Sequence, residues 1–158
     1  MDNGDFNKAL NYSFLLLKYR ARSKWEINSR LKKKGYQFFL VDKVIIYLES
    51  NNYLNDKEFV NFYVSCSLDK GWGPKKIDFN LKKLGISIQL RKEVLFDIGD
   101  CSQKIIEFIQ RKTEYYKKEN IPKKIIWQRI IRSLLSKGFS HKDIITQMQN
   151  FGVNIFEN

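Results

Sequence analysis

The sequence predicts an all-α protein: three tandem three-helix repeats with helix-turn-helix character, stacked as an elongated curved rod. Three observations lead there. One short motif recurs three times in phase. Apolar residues fall at spacings of three and four rather than alternating. Only 2 prolines and 8 glycines occur in 158 residues, a scarcity that favours helices over strands and turns.

The motif is Ile, three residues, Leu, three residues, Gly, then an apolar residue. It appears as Ile27–Leu31–Gly35–Tyr36, as Ile77–Leu81–Gly85–Ile86 and as Ile130–Leu134–Gly138–Phe139. Ile and Leu four apart share one helix face. Glycine adopts the left-handed conformation cheaply, so a Gly after a basic last turn marks a helix end. The apolar residue that follows can fold back on the helix just closed, as in Schellman-type ends. The glycines stand 50 and 53 residues apart, a period that fits a repeat architecture.

The elements follow in order. A first helix carries Phe6, Ala9, Leu10, Phe14 and Leu17. The middle helix of the first repeat begins near Trp25, and a third helix carries Val41, Val44, Ile45 and Leu48. In the second repeat the first helix shows Phe59, Phe62, Tyr63 and Cys66, and the third shows Leu90, Val94, Leu95 and Ile98. In the third repeat these positions are Ile105, Phe108, Ile109 and Tyr116, then Ile144, Ile145, Met148 and Phe151. Ser23-x-x-Glu26 and Asn55-x-x-Glu58 resemble capping boxes. Ser87 and Ser140 are further candidate caps, and Pro74 and Pro122 suit the first turn of a helix. Most of these helices are near or below the ~12–15 residues at which an isolated helix is marginal in water, so each must dock on its neighbours. Trp25, Trp72 and Trp127 stand near the starts of the middle helices. Large wedges closing the corner between the first two helices describe them better than platforms for bases. The repeats are bounded at 1–55, 56–100 and 101–158. Ser50-Asn51-Asn52 and Gly99-Asp100 are short turns between them, with no Gly/Ser-rich hinge.

The net charge is +12, which points to a polyanionic partner, either nucleic acid or an acidic membrane surface. The three repeats carry net charges of +5, +1 and +6. The basic residues form clusters: Arg20, Arg22 and Lys24; Arg30, Lys32, Lys33 and Lys34; Lys75 and Lys76; Lys82 and Lys83; Lys117 and Lys118; Lys123, Lys124, Arg129 and Arg132. Cations at helix C-termini oppose the helix dipole, each worth ~0.3–1 kcal/mol. Lys32–Lys34 and Lys82–Lys83 are partly explained that way. Recurrence at both ends of the middle helices exceeds that need, so these residues are the candidate surface for DNA or a DNA filament. Base reading would require polar side chains early in a third helix, and Gln37-Phe38-Phe39-Leu40 is too apolar to read base edges well. Largely non-specific contact with single- or double-stranded DNA is therefore expected.

Other classes find little support. The longest apolar runs, such as Phe14–Leu17 and Val44–Leu48, fall far short of the ~18 residues of a membrane span. The acidic start Met1–Asp5 is unlike a signal peptide. Cys66 and Cys101, 35 residues apart, match no zinc spacing and no disulfide framework. A reduced, cytoplasmic setting and a monomer are the expectation. His141 is the one histidine, so no nucleophile–base arrangement can be assembled. Gly71-Trp72-Gly73-Pro74 lacks the Lys-Ser/Thr of a phosphate loop. No catalytic residue, metal ligand or cofactor is expected. A helix-turn-helix transcription regulator and a nuclease-like enzyme using scattered carboxylates remain as alternatives.

Arg20-Ala21-Arg22-Ser23-x-x-Glu26-Ile27-x-x-x-Leu31-x-x-Lys34-Gly35-Tyr36, then Leu54-Asn55-Asp56-x-x-Phe59, then Lys70-Gly71-Trp72-Gly73-Pro74-x-x-Ile77 run in that order. The series resembles the RecX family of bacterial recombination regulators. The resemblance covers about Lys8 to Phe151 and is strongest in the first two repeats. In the third it rests mainly on Leu134–Ser140. It implies tandem three-helix repeats and no catalytic residues. It also implies binding along the groove of a RecA recombinase filament, with suppression of ATP hydrolysis, strand exchange and repressor self-cleavage.

Overall fold

The computed structural model describes residues 3–117 and 121–151. Among the described residues the regular elements are all helices: α1 Asn3–Tyr19, α2 Lys24–Lys33, α3 Phe38–Ser50, α4 Asp56–Asp69, α5 Pro74–Lys83, α6 Ile88–Ile98, α7 Ser102–Lys117, α8 Lys123–Ser136 and α9 His141–Asn150. The chain divides into two compact units. One comprises Met1–Val64 with Asn80–Val94, the other Ser65–Phe79 with Leu95–Asn158.

In the first unit α1, α2 and α3 pack against one another pairwise. Their core holds Ala9, Leu10, Leu16, Ile27, Leu31, Val41, Val44 and Leu48, closed by Leu54 from the following loop. The motif residues Ile27 and Leu31 are fully buried, each stabilising the fold by roughly 1.5–3 kcal/mol relative to exposure. The N-terminus of α2 is capped three times. Ser23 Oγ accepts from the Glu26 amide, and the Glu26 carboxylate accepts from the Ser23 amide, completing the capping box expected from the spacing. The Asp56 carboxylate accepts from the Lys24 amide at 2.8 Å.

α2 ends as the glycine motif requires. Gly35 has φ +89°, its amide reaches Lys32 O at 2.9 Å, and the Tyr36 amide reaches Leu31 O at 3.3 Å. This pair of bonds is the Schellman pattern. It recurs after α5, where the Gly85 and Ile86 amides reach Lys82 O and Leu81 O, both at 3.1 Å. In the same unit the Ser23–Trp25 corner lies on that second turn. Ser23 Oγ donates to Leu84 O at 2.6 Å, and the Trp25 side chain occupies the space a Cβ on Gly85 would need. Trp25 is nevertheless half exposed. It wedges against the glycine turn after α5, a partner its position in sequence did not suggest.

One residue of the face expected for α4 turns outward. Phe59, Val60 and Val64 are buried, whereas Phe62 is 64% exposed. Phe62 satisfies the three-and-four spacing, but so does the 60–64 pair, and the helix turns the latter inward. Asn55 caps α4 through Oδ1, which accepts from the Lys57 and Glu58 amides.

In the second unit α7, α8 and α9 pack pairwise. The core holds Ile105, Phe108, Ile109, Ile126, Ile130, Leu134, Phe139, Ile144 and Met148, with Cys101 at its edge and Trp127 packed against it. Burial pushes the Cys101 thiol up from its ordinary range, chiefly by desolvation. The turn after α8 repeats the Schellman pattern: Gly138 has φ +89° and the Phe139 amide reaches Leu134 O at 3.2 Å. The Gly73–Lys76 corner lies on this turn. The Gly73 amide donates to Lys137 O at 2.7 Å and the Lys75 amide to Gly138 O at 3.1 Å. α8 starts one turn earlier, relative to its motif isoleucine, than α2 or α5. Pro122 consequently stands just before the helix rather than within its first turn. Ser140 caps α9, accepting from the Asp143 amide at 3.1 Å. Replacing Ser140 by Ala removes that acceptor, and the expected cost is about 1 kcal/mol of stability, read as a lower urea midpoint at unchanged m.

Candidate functional site

The basic residues singled out from sequence divide into two groups once their partners are known. In the first unit Arg20, Arg22 and Lys24 are bound within the protein. Arg20 grips Glu26 with both terminal nitrogens, and that bond, ahead of the attendant charge attraction, holds its pKa above the ordinary value. Arg22 donates through Nε to Leu16 O at 3.2 Å and pairs with Glu26 at 3.4 Å. Its side chain is only 11% exposed, and desolvation is the main reason its pKa is lowered. Lys24 Nζ bonds Glu49 at 2.8 Å, which raises its pKa. The two arginines reinforce the capping of α2, and Lys24 ties that helix to α3. Glu26, which takes both arginines and the Ser23 amide, is the centre of that network.

The basic end of α2 differs. Arg30, Lys32, Lys33 and Lys34 are all exposed. Lys32 Nζ lies 4.8 Å from the centroid of the exposed Phe38 ring, and Lys34 Nζ lies 4.3 Å from that of Tyr12. Lys43, absent from the sequence-derived set, lies 4.4 Å over the exposed Phe39 ring. The i,i+4 spacing of Phe39 and Lys43 was the available signal. Lys82 and Lys83, at the end of α5, are likewise exposed.

In the second unit Lys75 is exposed while its amide holds the Gly138 turn. Lys76 reaches Ser136 O at 3.4 Å and lies 4.8 Å over the Trp72 ring. Lys117 pairs with Glu114 at 2.7 Å, a pair exposed on both sides and of small energetic weight. Arg129 lies 5.7 Å over Tyr116. Lys123, Lys124 and Arg132 are exposed on α8. Lys124 and Arg132, eight residues apart, lie two turns apart on one side of the helix, about 80° from each other around its axis. Lys118 lies outside the described residues.

No group of three or more His, Cys, Asp or Glu side chains able to hold a metal occurs among the described residues. No helix among them is long and apolar enough to cross a membrane. One open pocket of about 260 Å³ in the first unit is lined by Leu17, Arg22, Tyr53, Glu58, Phe59 and Phe62 among others. Its one cation, Arg22, is already committed to Leu16 and Glu26.

Comparison with known proteins finds similar chains along most of the sequence. The family described as RecX, first three-helix domain, matches residues 7–48. Regulatory protein RecX of Listeria monocytogenes serotype 4a (strain HCC23) is 29% identical over 136 residues, 85% of this chain and 49% of the relative. Regulatory protein RecX of Bacillus licheniformis is 33% identical over 147 residues, 91% of this chain and 54% of the relative. The chain thus spans about half the length of the curated relatives it matches. Among solved structures, RecX from Lactobacillus salivarius superposes with a TM-score of 0.81 at 26% identity, over 94% of this chain and 97% of that one. The helical order, the thrice-repeated glycine turn and these likenesses together make the chain similar to RecX proteins over nearly all of its own length.

Proposed function

We propose that this chain regulates homologous recombination and DNA repair by binding a RecA–DNA filament and lowering the recombinase's ATPase, strand exchange and coprotease activities. The observation that carries the reading is the likeness, over nearly the whole chain, to proteins named regulatory protein RecX. The charge of +12 adds to it, since many of the basic side chains are exposed. On this reading the protein is a non-enzymatic, cytoplasmic monomer that needs no cofactor. The segments 1–55, 56–100 and 101–158 act as successive contact modules. Three modest contacts in one body give avidity beyond any one of them, and holding neighbouring recombinase subunits at a fixed spacing slows their turnover.

Arg30, Lys33, Lys82, Lys123, Lys124 and Arg132 are the cations assigned to phosphate. Arg20, Arg22 and Lys24 serve the fold instead. A transcription-factor reading gains no support from the start of α3, where Phe38 and Phe39 stand in place of polar base readers.

The test adds the protein to a RecA-type recombinase on single-stranded DNA with ATP, following phosphate release and filament length. Hydrolysis is expected to fall with sub-stoichiometric protein. In separate titrations on duplex DNA, Lys124→Ala with Arg132→Ala is expected to reduce the log–log salt slope by roughly 2, at about 0.9 per phosphate contact. Unaltered hydrolysis and filament length at low ionic strength would rule the proposal out.

A further inference from the structure

The two phenylalanines that begin α3 take no part in the core. Val41, Val44 and Leu48 of the same helix are fully buried, whereas Phe38 is 66% and Phe39 55% exposed. Exposing two aromatic rings that are neighbours in sequence forgoes burial worth several kcal/mol. Each ring carries its own ammonium group: Lys32 at 4.8 Å from the Phe38 centroid and Lys43 at 4.4 Å from that of Phe39. Between residues 30 and 43 the chain holds five cations and one carboxylate, Asp42. The arrangement belongs to the first repeat alone. At the corresponding starts of α6 and α9 stand Ile88-Gln89 and His141-Lys142.

Flat rings in a basic collar suit one ligand chemistry above others. Phosphates require the lysines, and unpaired bases offer π-faces that stack on aromatic side chains without regard to sequence. A duplex conceals those faces and presents polar edges that phenylalanine cannot hydrogen-bond. A protein partner with an acidic apolar surface would also suit the charge. It would not, however, account for rings standing singly, each beneath a cation, rather than converging on a pocket. The exposed ammonium–ring contacts are each worth ~0.5–1 kcal/mol, small enough for an arriving base to displace the ammonium onto a phosphate.

We infer that Phe38 and Phe39, with Lys32 and Lys43, form a stacking site for unpaired bases of single-stranded nucleic acid. The site deepens the filament reading and rests on it for the origin of the strand, but it can be tested without any recombinase.

The probes are fluorescein-labelled oligothymidylate and a hairpin duplex of equal phosphate number, titrated by anisotropy at several salt concentrations. The proteins are the full chain, the Phe38→Ala/Phe39→Ala double variant and the Phe38→Tyr/Phe39→Tyr double variant. All the changed side chains are exposed, and circular dichroism checks that the fold is kept. The alanine pair is expected to bind oligothymidylate roughly 10- to 100-fold more weakly, as loss of one or two stacked bases implies, with an unchanged salt slope. The tyrosine pair is expected to keep wild-type affinity, and the duplex to bind all three proteins alike. Equal losses on duplex and single strand would overturn the inference, as would no loss on either. So would a poly-glutamate competitor that displaces the strand from wild type and from the alanine pair equally well, the result expected of a docking site for an acidic protein. If the alanine pair binds the strand normally but fails to slow the recombinase, the stacking site is refuted and the filament reading stands. If it loses the strand while wild type never slows the recombinase, the stacking site stands alone.

Discussion

Gly138→Ala is expected to destabilise the second unit by about 3 kcal/mol, and Gly35→Ala to cost only about 1. The two glycines have the same φ, +89°, so the backbone penalty for an L-residue, roughly 1–2 kcal/mol, is common to both. Their surroundings differ. A Cβ on Gly35 meets nothing within 4 Å, whereas one on Gly138 would overlap the backbone of Lys76. The overlap cannot be relieved by rotating a side chain. The Lys75 amide is hydrogen-bonded to Gly138 O, and the Gly73 amide to Lys137 O, so the two segments would have to part and give up both bonds. Overpacking typically adds ~1–3 kcal/mol. Gly73→Ala tests the same joint from the other side without a positive φ, since its Cβ would lie 2.7 Å from Gly138 and Phe139 backbone atoms. Urea titrations followed by tryptophan fluorescence measure all three, and a Gly35→Ala midpoint as low as that of Gly138→Ala would contradict the account.

Glu26→Ala is expected to cost about 2–4 kcal/mol, far above the typical ~1 kcal/mol of a lost cap. Glu26 serves three donors: the Ser23 amide, Arg20 and Arg22. Deleting it strands Arg22, whose side chain is 11% exposed. Removing one partner of a desolvated pair leaves an uncompensated charge, which costs ~3–5 kcal/mol when fully buried. Exposure of Arg20 reduces what its own pairing contributes. Glu26→Gln keeps an acceptor for Ser23 but not the charge, so it is expected to fall between wild type and alanine. Arg22→Ala is expected to lower the unfolding midpoint while leaving the salt slope of DNA binding unchanged. A slope reduced by a full phosphate contact would return Arg22 to the binding surface.

The helices were legible because the motif encodes its own ends. Ile and Leu four apart set the buried face, and glycine with its following apolar residue set the stop, so α2, α5 and α8 terminate where the spacing placed them. Caps at Ser23, Asn55, Ser87 and Ser140 were legible for the same local reason. What escaped depends on residues far apart in sequence. Nothing near Trp25 announces that it rests on Gly85, sixty residues on. Nothing near Phe62 says that Val60 and Val64 will be buried instead. The cation set illustrates the same limit. Lysine and arginine clusters are visible in a string of letters, but their partners are not. Lys24 is neutralised by Glu49, and only the folded chain brings the two within 2.8 Å. Phe38 and Phe39 looked merely unsuited to base edges, and only their exposure beside Lys32 and Lys43 gives that unsuitability a use.

The joints at Leu84 and at Lys137-Gly138 are made to carbonyl oxygens, in one case from a serine hydroxyl and in the other from two amides. Every amino acid supplies the same carbonyl, so the residue preceding each glycine is free to drift, as leucine in one joint and lysine in the other already show. Only the glycine itself cannot change, because it is the missing side chain that makes room. Mutational scanning across these two joints should therefore show sharp intolerance at the glycine beside a tolerant preceding residue, a local profile set by main-chain geometry and distinct from the side-chain intolerance of the core.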